Sequence, residues 1–330
     1  MRFRPVLIAA GLLALAWMPP STAETIKLTM ASDDAIYAPY FIALDKGYFK
    51  SAGLDVELVE AGGGAATPAL MSGTVHFSSS SGSAESAILK GAPLKIVMTI
   101  SVTLPWKLWA TGPETKTLAD LKGKAVGVQT RGDLFEVAIR AALLKAGLAQ
   151  DSLIYSPMGV GSLQRVAVMQ SASMPAGILS YLDERIARDN GSLARGHVLV
   201  DFKDIQIPYN GLATSDALIA KNPTMVRAFL KSVLMGVRYM KKYKGGTLGM
   251  LQKHNKSKPE LLAGSYDESM PTIIDSGTIP RATQESELAL RRSMLSMGER
   301  GGPTAETVFD YRLVQEALAE LDKSGWQPTE

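Results

Sequence analysis

From Thr25 onward one unit recurs along the chain: a short strand-forming run, a polar loop, then a run with helical spacing. "TIKLTMAS" alternates apolar and polar residues and leads into a stretch where Ile36, Tyr40, Phe41 and Leu44 recur at helical intervals. "DVELVE" is a second strand, ended by Gly62, Gly63 and Gly64, and "TPALMSG" starts the next helix with Pro68 near its first turn. "TVHFS", the helix "SAESAILKG" and the strand "LKIVMTIS" continue the series. Such alternation predicts an α/β protein, a parallel sheet with helices on its faces.

The pattern then restarts. A strand at 125–129 is followed by the polar loop "TRGD" and a helix whose face is Phe135, Ile139, Leu143 and Leu144. "LQRVAVMQS" and "PAGILSYLDERIARD" give a helix, an apolar run and another helix, and "HVLVDF" is a further strand. The halves rhyme in "ALMSGTVHFSSSSGS" and "AVMQSASMPAGILSY", which predicts two domains on one plan. In "NPTMVRAFLKSVLMGVRYMKKYK", Asn222 caps a helix, Pro223 takes its first position, and Met225 to Met240 carry a buried stripe. The remainder reads as closing helices.

The N-terminus reads as a secretory signal peptide. Arg2 and Arg4 precede an apolar core, Val6 to Trp17, too short for a membrane span, and "STA" places cleavage after Ala23. This predicts a chain exported to the periplasm. The full chain carries 35 Lys+Arg and 32 Asp+Glu; loss of two leader arginines leaves a net charge of +1. That balance gives no field for nucleic acid or anionic membrane. With no cysteine there is no disulfide, thiolate metal site or thiol nucleophile, and the three histidines are too scattered for a metal site. Common hydrolase and nucleotide-binding signatures are absent, so neither enzyme chemistry nor a cofactor is expected.

"YAPYFIALDKGYFKSAGLDVELVEAGGG" resembles the NMT1/THI5-like solute-binding proteins of ABC importers, the nitrate, sulfonate, taurine and thiamine-precursor class. The likeness continues through "ALMSGTVHFS", "ILKGAPLKIV", "LADLKGKAVGVQ", "LLKAGL" and "AKNPTMVRAFLKSVLMG". The resemblance implies a type II periplasmic binding protein fold: two α/β lobes joined by two crossing segments, with the ligand cleft between them. Lobe one would be 24–103 and 208–330, lobe two 104–207, with crossings near 101–105 and 207–211. It further implies a monomer that carries a small organic ligand to an inner-membrane ABC permease. His76 stands where the family commonly has an acidic residue, and "SASMPAGIL" lacks the usual aspartate. A receptor for a membrane sensor kinase is an alternative. A thiamine-precursor (pyrimidine) binding or synthesising protein is another, although the cysteine-rich motif of the synthesising enzymes is absent.

Ligands of open parallel sheets sit beyond the carboxyl ends of the strands, where loops meet helix N-termini. That address predicts contacts from Ser32 and Asp33 after the first strand, and from Gly63 and Gly64 after the second. Ser79, Ser80 and Ser81 follow the third, and Thr130, Arg131 and Gly132 open the second half. Six serines within "FSSSSGSAES" are read as a binding loop rather than a linker, because they stand inside a strand–helix unit. Arg131 is either a bidentate receptor for an anionic solute, a sulfonate or carboxylate, or a surface arginine paired with Asp133 or Glu136. Tyr37, Trp106, Tyr181 and Tyr209 lie at loop ends or predicted crossings, where aromatics wall ligand pockets or pack lobe edges.

Overall fold

The computed structural model describes residues 25–330 apart from 132, 172, 173, 204, 205, 296 and 298–301. The leader and Gly132 therefore lie outside the described residues. Among the described residues ten strands are formed: β1 (Ile26–Met30), β2 (Val56–Glu60), β3 (Phe77–Ser78), β4 (Leu94–Thr103), β5 (Trp106–Ala110), β6 (Ala125–Val128), β7 (Ile154–Pro157), β8 (Ala176–Ser180), β9 (His197–Asp201) and β10 (Gln206–Ser215). They make two sheets, one in each of two α/β lobes, ordered β2–β1–β3–β10–β4 and β7–β6–β8–β5–β9.

The sheets are mixed rather than purely parallel as the sequence pattern predicts. β10 runs antiparallel to β3 and β4, and β5 runs antiparallel to β8 and β9. The cause is connectivity. β4 ends where the parallel strands end, so the chain entering the second sheet as β5 starts from that edge and runs back along it. β9 and β10 repeat the manoeuvre in the other direction. Both crossing strands thus occupy the fourth place of the sheet they enter. Residues 207–211, where the sequence places the return crossing, belong to β10, in which Asn210 and Gly211 pair with β4.

Local differences have local reasons. The helix after β2 is Gly63–Met71, so Pro68 lies in its interior instead of near its first turn. A proline there removes only the bond to the Gly64 carbonyl. β3 is two residues long, and Ser81 already belongs to the Ser81–Leu89 helix. β5, β7 and β10 were not legible as strands.

The Pro223–Lys242 helix packs on the Ala38–Asp45 helix and on the Arg312–Ser324 helix. Asn222 caps it through Met225 N (3.1 Å). Its Phe229 stacks between Phe77 (3.9 Å between centroids) and Phe49 (4.8 Å), the centre of the first lobe's core. The C-terminal segment also reaches the second lobe. Glu268 and Lys258 pair with Arg185 and Asp189 of the Tyr181–Asp189 helix, and the Arg281–Met294 helix touches the Leu134–Lys145 helix.

Candidate functional site

The strand tips of the two sheets face each other across a seam. Ala31, Tyr37, Gly63, Ser80, Gly82 and Ser83 come from one side, and Gln129, Asp133, Leu134 and Phe135 from the other. Tyr209, on β10, closes the back. They enclose a cavity of about 20 Å³, room for a single water. The lobes are therefore drawn together, and this cavity is too small for an organic molecule.

Glycines let the lobes come this close. A side chain at Gly62 would meet Thr130 Cγ2 at 2.8 Å, and one at Gly64 would run into the Arg131 carbonyl, both across the seam. Gly64 N donates to Thr130 Oγ1 (3.2 Å), and Gly82 packs on Leu134. A side chain at Gly63 would collide with Ser83 within its own lobe.

The serine stretch divides its labour. Ser79 Oγ accepts from Ala31 N (3.0 Å) and ties neighbouring strand tips together. Ser81 Oγ donates to the Tyr209 carbonyl (3.4 Å). Ser80 is 8% exposed, lines the cavity, and its hydroxyl has no partner. A buried hydroxyl left unmade costs free energy that a ligand acceptor or donor recovers. Of the three serines it is the one that lines the cavity with its hydroxyl unpartnered.

Aromatic groups make the cavity's back wall. Tyr209 Oη accepts from Trp106 Nε1 (2.6 Å) and lies 3.4 Å from Tyr37 Oη, which donates to it. Trp106 packs on Phe135, with centroids 4.3 Å apart. Burial drives the Tyr37 and Tyr209 phenols well above their usual range, so both stay protonated donors. Asp133 caps the Leu134–Lys145 helix, accepting from Glu136 N (3.0 Å) and Thr130 N (2.8 Å). Burial pushes its carboxyl up to about 7, against the pull of those backbone donors.

Of the sequence-predicted residues, Tyr37, Gly63, Ser80 and Tyr209 line the cavity. Trp106 stands behind Tyr209, and Gly64 and Thr130 form the seam. Ser32 donates to Asp34 (2.8 Å), while Asp33 receives Ser162 of the other lobe. Tyr181 is half-buried under the Lys107 ammonium, outside the cavity. Arg131 is exposed: its carbonyl faces the seam and its guanidinium is not in the cavity wall. Asp133 is taken by helix capping, and Glu136 pairs with Arg140 (2.7 Å). Gln129 and Phe135 were missed. Gln129, whose amide donates to the Ala31 carbonyl across the seam (3.2 Å), directly follows β6, so the strand-tip rule applied one residue earlier finds it.

A second polar centre also escaped the sequence reading. Arg165 is fully buried in the second lobe and held in bidentate fashion by Asp183 (2.7 and 2.8 Å). Asp34 of the first lobe lies 3.5 Å from it and accepts the Ser180 hydroxyl (3.0 Å). Among the described residues there is no cluster suited to a metal ion and no helix long and apolar enough to cross a membrane.

A family model described as NMT1/THI5 like matches residues 35–244. A riboflavin-binding protein, RibY, of Chloroflexus aurantiacus is 30% identical over 227 residues, 66% of this chain. The matched stretch spans 62% of that protein's length. The alkanesulfonate-binding protein SsuA from Xanthomonas axonopodis pv. citri, bound to MOPS, superposes with a TM-score of 0.69 at 13% identity, covering 89% of this chain and 97% of its own. The periplasmic nitrate-binding protein NrtA from Synechocystis PCC 6803 gives 0.72 at 16% identity, covering 94% and 92%. These structures share the periplasmic binding protein fold with the present chain.

Proposed function

The chain belongs to the NMT1/THI5-like family of solute-binding proteins, and from that premise we propose that it is the extracytoplasmic substrate-binding component of an ABC importer. In this reading lobe one is 24–103 with 208–330, lobe two is 104–207, and residues 1–23 are removed on export. The lobes close on one small organic solute and present it, as a monomer, to an inner-membrane permease. No bond is made or broken. Closure is a hinge motion stabilised by a guest that touches both lobes.

The observation that carries this reading is the unpartnered Ser80 hydroxyl, aimed into a cavity walled by Tyr37, Phe135 and Tyr209. Aromatic walls with a few polar fixers suit a flat organic body. An anion, the class that Arg131 favours in the sequence, draws no support from the wall: among its lining residues none is basic. Riboflavin, the compound in the name of the RibY relative, is a flat heteroaromatic of the kind such walls accommodate.

A thermal-shift screen of the exported chain against flavins, pyrimidines, sulfonates, carboxylates and inorganic anions tests the proposal. A true solute at 100 times its Kd adds about 2.7 kcal/mol of stability. Turnover of any compound, or no shift across the panel together with no heat of binding, would reject it.

A further inference from the structure

The loop after β1 carries a carboxylate from the first lobe into the second. Asp33 Oδ1 accepts both the backbone N–H (3.1 Å) and the hydroxyl (2.9 Å) of Ser162, first residue of the Ser162–Ser171 helix. The start of that helix draws negative charge, as does the start of the Leu134–Lys145 helix, which Asp133 caps from within the second lobe. Arg165 draws it too, and its guanidinium is spent on Asp183, the Val160 carbonyl, Ser162 Oγ (3.1 Å), the face of Trp106 (4.8 Å) and Asp34 of the first lobe (3.5 Å). Asn255 Nδ2 donates to the Asp33 carbonyl (3.2 Å) and fixes the loop from behind.

We infer that Asp33 is a helix cap supplied across the seam, a built-in counter-anion that latches the lobes where a solute anion would otherwise stand, so that the receptor closes on an uncharged solute. The inference rests on reading the crevice as a solute site, and it names that solute's charge class. A helix start satisfied from the opposite lobe is satisfied only when the lobes meet. Closing therefore brings its own polar partners, and recognition is left to Ser80, Gln129 and the aromatic wall.

The exported chain is compared with Asp33→Ala and Asp33→Asn in the absence of solute, by small-angle scattering and by thermal shift with millimolar methanesulfonate and nitrate. Sodium chloride at matched ionic strength is the reference. The wild type is expected to be compact and indifferent to both anions. Asp33→Ala shifts to a larger radius of gyration and gains an anion-dependent rise in Tm, with Asp33→Asn between the two. A wild type that either anion stabilises above chloride, or an Asp33→Ala chain as compact as the wild type, overturns the inference. The wild-type anion result decides it alone if the variants do not fold. Failure of every compound in the solute screen would instead strike the receptor reading, leaving the scattering comparison intact; a panel in which only anions bind overturns the inference and spares that reading.

Discussion

Asp33 in one lobe and Ser162 in the other share two hydrogen bonds through a single carboxylate oxygen, at 3.1 and 2.9 Å. A contact of this kind exists only when the seam is shut, so single substitutions along the seam read out closure separately from folding.

Ser80→Ala removes the hydroxyl that no protein atom satisfies. Folding stability should change little, since no bond is lost. Affinity for the solute found in the screen should fall by about tenfold, the worth of one or two hydrogen bonds. Titration calorimetry beside a melting curve checks this; unchanged affinity would remove Ser80 from the site.

Gly64→Ala puts a methyl group against the Arg131 carbonyl of the facing lobe. Alanine is the better helix former by about 1 kcal/mol, so the melting temperature should hold or rise. Closure should suffer, with weaker solute binding and a larger radius of gyration. A variant that binds normally would show that the seam relaxes at this point.

Asp34 is pushed up to about 7, chiefly by burial and then by Asp183, against the pull of Arg165. In an opened molecule it returns toward the ordinary carboxylate range near 4. Closing therefore takes up a proton: it is fully favoured below that ordinary value and loses ground as pH rises toward 7. Solute-free scattering should show a more compact chain at pH 5 than at pH 8, and Asp34→Asn should be compact at both. Identical wild-type profiles would refute the coupling.

Glu85 is buried beside Glu287 and Arg291, and burial first, then Glu287, holds its carboxyl well above its usual range. A raised value means that the folded form binds the proton more tightly, so stability is lost as pH rises from the unfolded value. Glu85→Gln should raise Tm at pH 8 by about 1–2 °C, the shift that roughly 1 kcal/mol produces in a chain of this length. It should do little at pH 4. A loss of stability at pH 8 would show that the charged form is the one the core holds.

The sequence made much of this legible because periodicity reports which face of an element is buried. The Pro223–Lys242 helix, its Asn222 cap and the alternating units follow from local pattern alone. β10 and β5 did not, since their identity as strands depends on partners in a sheet entered from another lobe. Ser79, Ser80 and Ser81 look alike on paper, and only the placement of Ala31 N and the Tyr209 carbonyl leaves Ser80 alone without a bond. Arg131 carries the right chemistry for an anion, yet its side chain lies outside the cavity while its main chain meets Gly64. Arg165 and Asp34 sit 131 positions apart, so no local motif announces that pair.

The place of β4 bears on how such a chain is made. Its ladder is with β10, and its isolated bridges are with Ile273 and Phe309, every one later in the chain. As the polypeptide is made from its N-terminus, "LKIVMTISVT" must wait unpaired while the whole middle section is added. A long apolar strand with both edges bare is a template for other strands. Newly made copies are therefore most exposed to aggregation between the arrival of Thr103 and that of Ser215, and a chaperone that shields extended apolar segments would act in that interval.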